Sequence, residues 1–361
     1  MAKVLIYSDI HIHAHKKNAD RIEDCLEVLD WVYKVAERNS IKHVLFLGDL
    51  FHERQKIDVL TYQKTFEKLV EAHASGSFTT FLLLGNHDMY YFDKWDINSI
   101  APLNIIPNIK VIAKPSSIQI EDFTIDLLPY THNPLEHLAQ LSKNSKRVFL
   151  GAHISVDGAK LNSYGTEADV IVEHDGAMVK VDKTVFENWE NVFLGHYHCP
   201  QQLSENIEYI GSPLELNFGE AFQEKHICIF DLKTKEKKYI VNEFSPKHLI
   251  IKESQIANYN LSNNFVRIVS EDITCTDTID MYKNLQTDKS IKSIELKNSN
   301  VKMEEQSHAI KDASAILLNE DMMIENYIKD QSEQEESPIK DLNKKLLLKI
   351  GKMICEEANV L

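Results

Sequence analysis

The sequence predicts an α/β fold (α+β by some schemes): a two-sheet mixed β-sandwich flanked by helices, followed by a small αβ accessory domain and C-terminal helices. Two observations predict it. Over residues 1 to about 246, short apolar runs alternate with longer amphipathic stretches in a β-α-β-α-β rhythm, which implies parallel strands covered by helices. Further on, "SSIQIEDFTIDLLPY" and "KHICIFDLKTKEKKYIVNEF" each read as an antiparallel hairpin, so a mixed sandwich fits better than a simple doubly wound sheet.

The elements follow in order. "KVLIY" reads as the first strand. "NADRIEDCLEVLDWVYKVAERN" places Ile22, Leu26, Leu29 and Val35 or Ala36 near one face, a helical period. The strand "KHVLFL", a helix near "VLTYQKTFEKLVEAHA" and the strand "TTFLLL" complete the opening unit, and the hairpins come after it. Near "FSPKHLIIKE" the pattern resets: "NNFVRIVSE", "DTIDMYKNLQ" and "SIKSIELKNS" read as strand, helix and strand, a small domain over 247–305. The remainder, 306–361, reads as helical. "DASAILLNEDMMIENYIKD" is one helix, 329–337 is a polar acidic linker, and 338–357 is a final helix. Ser337 and Pro338 suit its N-cap and first position, and Ile339, Leu342, Leu346, Ile350 and Met353 form an apolar stripe among lysines.

Composition narrows the class. The chain has 361 residues with 43% hydrophobic and 26% charged, an ordinary globular balance, and no apolar run long enough for a membrane-spanning helix. The start "MAKVLIYSD" passes directly into a strand-like run, so no signal peptide is expected. Five scattered cysteines, never in a CxxC pair, argue against a disulfide framework or a cysteine zinc site and for a reducing, cytoplasmic setting. The net charge of −15 lacks the basic footprint of a stand-alone nucleic-acid binder, so attraction to a polyanion would need local basic patches, bound metal or a partner.

Five apolar runs end alike, in a break followed by Asp, Asn or His. They are "KVLIYSDIHIH" with Asp9, His11 and His13; "HVLFLGDLFH" with Asp49 and His52; "TTFLLLGNHD" with Asn86, His87 and Asp88; "RVFLGAH" with His153; and "NVFLGHYH" with His196 and His198. Alone, any one of them reads as a polar strand terminus or a structural histidine. Ligands in open α/β sheets bind beyond the carboxyl ends of strands, so five such ends can pool their side chains. Asp9, His11, Asp49, Asn86, His153, His196 and His198 make a nitrogen and oxygen donor set without cysteine, suited to manganese, iron or zinc. That is too many donors for one ion and about right for two that share a carboxylate. Extended backbone in D-x-H and H-x-H would aim both side chains of each pair the same way, and the glycines before Asp49, Asn86 and His196 would allow a sharp exit.

In order and rough spacing, "SDIHIH … GDLFH … GNHD … GAH … GHYH" resembles the calcineurin-like metallophosphoesterases. "GDLFH", the string "YIGSPLELNFGE" at 209–220 and the small domain resemble more narrowly the nuclease subunit of the SbcC–SbcD double-strand-break repair complex, phage-encoded relatives included. The family usually has glycine where His13 stands. The resemblance implies that Asp9, His11, Asp49 and His198 hold one divalent ion and that Asp49, Asn86, His153 and His196 hold the other, with Asp49 bridging. Mn2+ is the expected ion, with Mg2+, Fe2+ or Zn2+ as alternatives. His87 would protonate the leaving oxygen, His52 would place the scissile phosphate or assist His87, and Asp88 would brace the loop; read alone, Asp88 suits a helix cap. Hydroxide generated between two cations would attack the phosphodiester.

The implied protein is a metal-dependent DNA exonuclease or endonuclease, the catalytic subunit of an ATPase–nuclease complex for DNA repair and recombination. Its partners would be DNA, an SbcC-like coiled-coil ATPase gripped by the last helix, and a second copy in a homodimer, in the host cytoplasm if phage-encoded and with no membrane. A general metallophosphatase or a cyclic-nucleotide phosphodiesterase on the same metal core is the alternative, favoured by the acidic charge and disfavoured by "GSPLELNFGE" and the accessory domain.

Overall fold

Two six-stranded sheets lie face to face with helices on their outer sides. The computed structural model describes residues 2–13, 19–91, 93–141, 147–162, 165–168, 170–174 and 177–298. The expectations for the rest of the C-terminal part, including the linker 329–337 and the helix 338–357, lie outside the described residues. The first sheet contains β1 (Lys3–Tyr7), β2 (His43–Phe46), β3 (Thr79–Leu83), β4 (Ile109–Ile112), β13 (His226–Asp231) and β14 (Lys237–Val241), in the order β14-β13-β1-β2-β3-β4. Strands β1 to β4 run parallel, and the β13–β14 hairpin joins β1 antiparallel, which makes the sheet mixed. The second sheet contains β5 (Ser116–Ile120), β6 (Phe123–Leu128), β7 (Arg147–His153), β10 (Trp189–Gly195), β11 (Gln201–Ser204) and β12 (Ile207–Tyr209), in the order β11-β12-β10-β7-β6-β5. Both expected hairpins are present, β5–β6 and β13–β14.

The period-two alternation of strand side chains explains why the strands read as unbroken apolar runs. In β1, Val4 and Ile6 face the second sheet, while Leu5 and Tyr7 face the helical layer. Phe149, Phe193 and Phe230 from three strands meet between the sheets, with ring centroids 5.0–5.7 Å apart. Gly151 in β7 sits at this seam, where a Cβ would lie 2.9 Å from a Leu45 methyl carbon. Helix α1 (Ala19–Arg38) covers the outer face of the first sheet with Ile22, Leu26, Leu29, Val35 and Ala36, all buried. Helix α2 (Val59–His73) starts at Asp58, whose carboxylate accepts the Thr61 N–H at 2.9 Å, a cap that satisfies a free first-turn donor. Helix α3 (Pro134–Leu141) packs on the outer face of the second sheet through Leu138 and Leu141.

A short hairpin, β8 (Ile171–His174) with β9 (Ala177–Lys180), lies apart from both sheets. After the sandwich come β15 (His248–Lys252), β16 (Phe265–Ser270), α4 (Thr276–Gln286) and β17 (Ser293–Asn298), whose strands form a three-stranded parallel sheet. This small sheet docks on the sandwich through charged contacts as well as apolar ones. The Arg267 guanidinium lies 4.0 Å over the Phe218 ring, Lys292 pairs with Asp24 at 2.8 Å, and the Arg21 guanidinium lies 5.5 Å over the Phe265 ring. Among the described residues, no helix is long and apolar enough to cross a membrane.

Candidate metal centre

Five strands deliver their carboxyl ends to one place. Asp9 lies just past β1, Asp49 past β2, Asn86 past β3, His153 is the last residue of β7, and His196 follows β10. Asp9, His11, Asp49, Asn86 and His153 are buried, while His196 and His198 are half-buried. Donor atoms of Asp9, His11 and His198 fall within 4.8 Å of one another, as do those of Asp49, His153 and His196. Asp49 stands between the two groups: its Oδ2 is 3.4 Å from His11 Nε2 and 3.4 Å from His153 Nε2. Asn86 joins the second group, with its Oδ1 2.9 Å from His153 Nε2 and 2.8 Å from His196 Nδ1. All seven residues singled out in the sequence are therefore brought together.

The backbone reaches this arrangement differently from the extended geometry expected for D-x-H and H-x-H. Asp9, His11, Asp49 and His196 have φ of 54°, 50°, 60° and 107°, in or near left-handed conformations that non-glycine residues seldom adopt. Four candidate ligands sharing such backbone mark a site held against its local preference. Left-handed turns after the strands, and not strand alternation, turn these side chains inward.

These glycines are also needed for another reason than a sharp exit. Gly48 does take positive φ, at 103°. At Gly85, however, a Cβ would lie 2.2 Å from Asp49 Oδ1, and at Gly195 it would lie 2.2 Å from Ser8 Oγ. At Gly48 it would lie 2.4 Å from His153 Nδ1, so all three admit close approach.

Asp88 does not cap a helix. Its Oδ2 accepts the N–H groups of Asp49 (3.0 Å) and Gly85 (3.1 Å), and its Oδ1 those of Leu50 (3.1 Å) and Phe51 (3.3 Å), so it ties the loop after β2 to the loop after β3. Burial and the Asp49 charge push its pKa up to about 7 against the pull of these donors.

His87 and His52 lie at the rim. The His87 N–H donates to Asp49 Oδ1 at 2.8 Å, and its ring Nδ1 donates to the His52 carbonyl at 2.5 Å. The His52 ring stacks on His13 at 4.4 Å between centroids, so the residue in the usual glycine position extends a row of imidazoles.

The donor set fits cations. His153 Nδ1 donates to the Leu47 carbonyl at 2.6 Å, which turns its Nε2 toward the Asn86 oxygen at 2.9 Å. His198 Nδ1 meets the Glu220 carboxylate at 3.0 Å, which leaves its Nε2 facing His11 Nε2 at 3.0 Å. These ring nitrogens and the amide oxygen need a proton or a cation between them, a demand that positive charge meets. The carboxylates draw such charge: burial alone would lower the His153 pKa, yet Asp49 and Asp9 raise it to about 9. Burial raises Asp49, but the His153, His87 and His11 rings hold it well below the usual carboxylate range. His11 and His196 are pushed far down, chiefly by burial, which suits neutral ligand rings.

A family model described as calcineurin-like phosphoesterase matches residues 2–228, which hold every one of these strand ends. The chain belongs to the calcineurin-like phosphoesterase family. That family uses a dimetal centre, and the two donor groups around Asp49 are its candidate here. Exonuclease subunit 1 of Enterobacteria phage T4 is 28% identical over 217 residues, 57% of this chain and 58% of that protein. The SbcD subunit of the nuclease SbcCD from Staphylococcus saprophyticus is 23% identical over 269 residues, 68% of each chain. Its counterpart in Bacillus subtilis is 22% identical over 272 residues, 65% of this chain and 67% of that one. The match to the phage protein spans little more than half of its length.

Sequence reasoning missed three contributors. Glu220 touches His198, although only the string around it had stood out. Lys225, fully buried against Glu220 at 2.6 Å, carried no signal, since a lysine in a polar stretch reads as surface. The Tyr130 ring stacks over His196 at 6.1 Å between centroids; its position just after the β6 apolar run was the available clue.

Proposed function

We propose that this phosphoesterase is a metal-dependent DNA nuclease, the catalytic subunit of an ATPase–nuclease complex that processes DNA ends in double-strand-break repair and recombination. The observation that carries the reading is the Asp49 carboxylate set between two donor groups, with His87 fixed to that same carboxylate. The relatives named as an exonuclease subunit and as SbcCD nuclease subunits support a nucleic acid as the substrate.

Asp9, His11, Asp49 and His198 would hold one cation; Asp49, Asn86, His153 and His196 would hold the other. Bound there, a pair of divalent ions, Mn2+ before Mg2+, Fe2+ or Zn2+, would supply Lewis acidity and offset phosphodiester charge. Asp49 spans both groups and keeps them in register. His87 spends its Nδ1–H on the His52 carbonyl, so its Nε2 is the atom that carries a proton to the leaving oxygen when the ring is protonated. His52 fixes His87 through that carbonyl and, from the rim, positions the scissile phosphate.

The test is cleavage of labelled linear duplex DNA by purified protein with and without Mn2+. Asp49→Ala is expected to lose both metal binding and cleavage. His87→Ala is expected to bind Mn2+ normally and lose about 10²- to 10⁴-fold in rate, the usual share of general acid catalysis. Cleavage confined to small phosphate monoesters or cyclic nucleotides would replace this reading with the phosphatase or cyclic-nucleotide phosphodiesterase alternative, which the net charge of −15 favours.

The assembly is part of the same proposal. The segment 338–357 grips an SbcC-like ATPase, and deleting 337–361 should abolish its co-purification while sparing metal binding. A homodimer forms through the helices of the N-terminal half, where Val59 (79% exposed) and Leu60 (47%) on α2 stand out to solvent. The free thiols Cys25, Cys199, Cys228 and Cys275 agree with a reducing cytoplasm, the host's if the chain is phage-encoded.

A further inference from the structure

The segment 209–225 builds a clamp around His198. Glu220 is buried, and its two oxygens have different partners. Oε2 takes Lys225 Nζ at 2.6 Å, Ser212 Oγ at 3.0 Å and the Leu216 N–H at 3.2 Å. Oε1 meets His198 Nδ1 at 3.0 Å, with the Asn217 amide at 3.4 Å. Lys225 also donates to the His198 carbonyl at 2.8 Å, and the Ser212 N–H donates to it at 3.1 Å. Gly211, at φ +72°, lets the chain pass so close that a Cβ there would lie 2.7 Å from that carbonyl. Ring and backbone of one candidate ligand are thus both gripped by the same few residues.

We propose that Glu220, its charge balanced by Lys225, is the positioning residue that sets the ring orientation and tautomer of His198. A carboxylate can only accept, so His198 Nδ1 must donate to it. The proton then sits on Nδ1, and Nε2 presents its lone pair to the group formed with Asp9 and His11. Partners of this kind tune a ligand histidine and typically govern metal affinity 10- to 100-fold. The proposal rests on the metal-centre reading above and gives the "GSPLELNFGE" string a physical role. Gly211 permits the approach, Ser212 and the Leu216 N–H anchor Glu220, and Glu220 holds the ring.

Glu220→Gln makes the test sharp. Lys225 and the Leu216 N–H require an acceptor, so the glutamine oxygen should turn to them and its NH2 should face His198 Nδ1. His198 would then carry its proton on Nε2, aimed at the cation. Mn2+ titration by calorimetry and electron paramagnetic resonance should show two tight sites in the wild-type protein. In Glu220→Gln one site should weaken 10- to 100-fold while the other holds its affinity. Glu220→Asp, which keeps the charge beside Lys225 and shortens the reach to His198, should weaken the same site. Imidazole ¹⁵N spectra of the metal-free wild-type protein should show His198 protonated on Nδ1, and this readout requires no variant to fold. A neutral His198 protonated on Nε2 alone in those spectra, or wild-type affinity at both sites in folded Glu220→Gln and Glu220→Asp, overturns the inference alone. Wild-type protein that binds no divalent ion overturns the metal-centre reading, and the inference with it.

Discussion

Replacing Asp88 with asparagine isolates the bracket that holds two ligand loops together. The carboxylate serves four buried backbone N–H groups, two on each oxygen, at 3.0–3.3 Å. Asparagine has nearly the same shape but one acceptor, so one pair of N–H groups keeps its partner and the other pair meets an NH2. Stranding a buried donor costs about 1–3 kcal/mol, so two stranded donors put the loss at about 2–6 kcal/mol. That is a large part of the ~5–15 kcal/mol that separates folded from unfolded domains. Urea unfolding in EDTA at pH 8.5 measures it. There Asp88, with its pKa at about 7, is ionised, and Trp189, 2% exposed, reports on the core between the second sheet and α3. A loss below about 1 kcal/mol with an unchanged slope would refute the reasoning, since the four hydrogen bonds would then carry little of the fold.

Gly85→Ala should push Asp49 away, because its Cβ would lie 2.2 Å from Oδ1; a stability loss of about 1–3 kcal/mol and loss of Mn2+ binding by calorimetry are expected. Lys225→Met should leave Glu220 a buried, uncompensated charge and cost about 3–5 kcal/mol in urea unfolding. Mn2+ added at 100 times its dissociation constant should stabilise the protein by about 2.7 kcal/mol per independent site, seen as a rise in melting temperature that EDTA reverses.

Much of the site was legible because its chemistry sits at the strand ends. An apolar run that stops at a glycine, or at a short polar break, and then shows Asp, Asn or His is visible without any coordinates. Two six-stranded sheets bring such ends together almost by necessity once the central strands are parallel. The hairpins were legible for a similar local reason, two apolar runs with a polar turn between them. The role of Asp88 was not, because its four partners come from two loops, and its neighbours in sequence resemble the start of a helix.

By itself the sequence determined the donor types, their order and the layered α/β architecture, since local periodicity and composition encode those. Only the tertiary structure decided which donors share a group, why Asp49 stands between them, and that Gly48 serves conformation as well as the close approach that Gly85 and Gly195 also admit. It alone turned Asp9, His11, Asp49 and His196 through left-handed backbone, and it alone buried Lys225 beside Glu220. The physical reason is range. A side chain's type is a local property, whereas its charge partners, its tautomer and the strain it tolerates depend on residues far along the chain, 187 positions away in the case of His11 and His198.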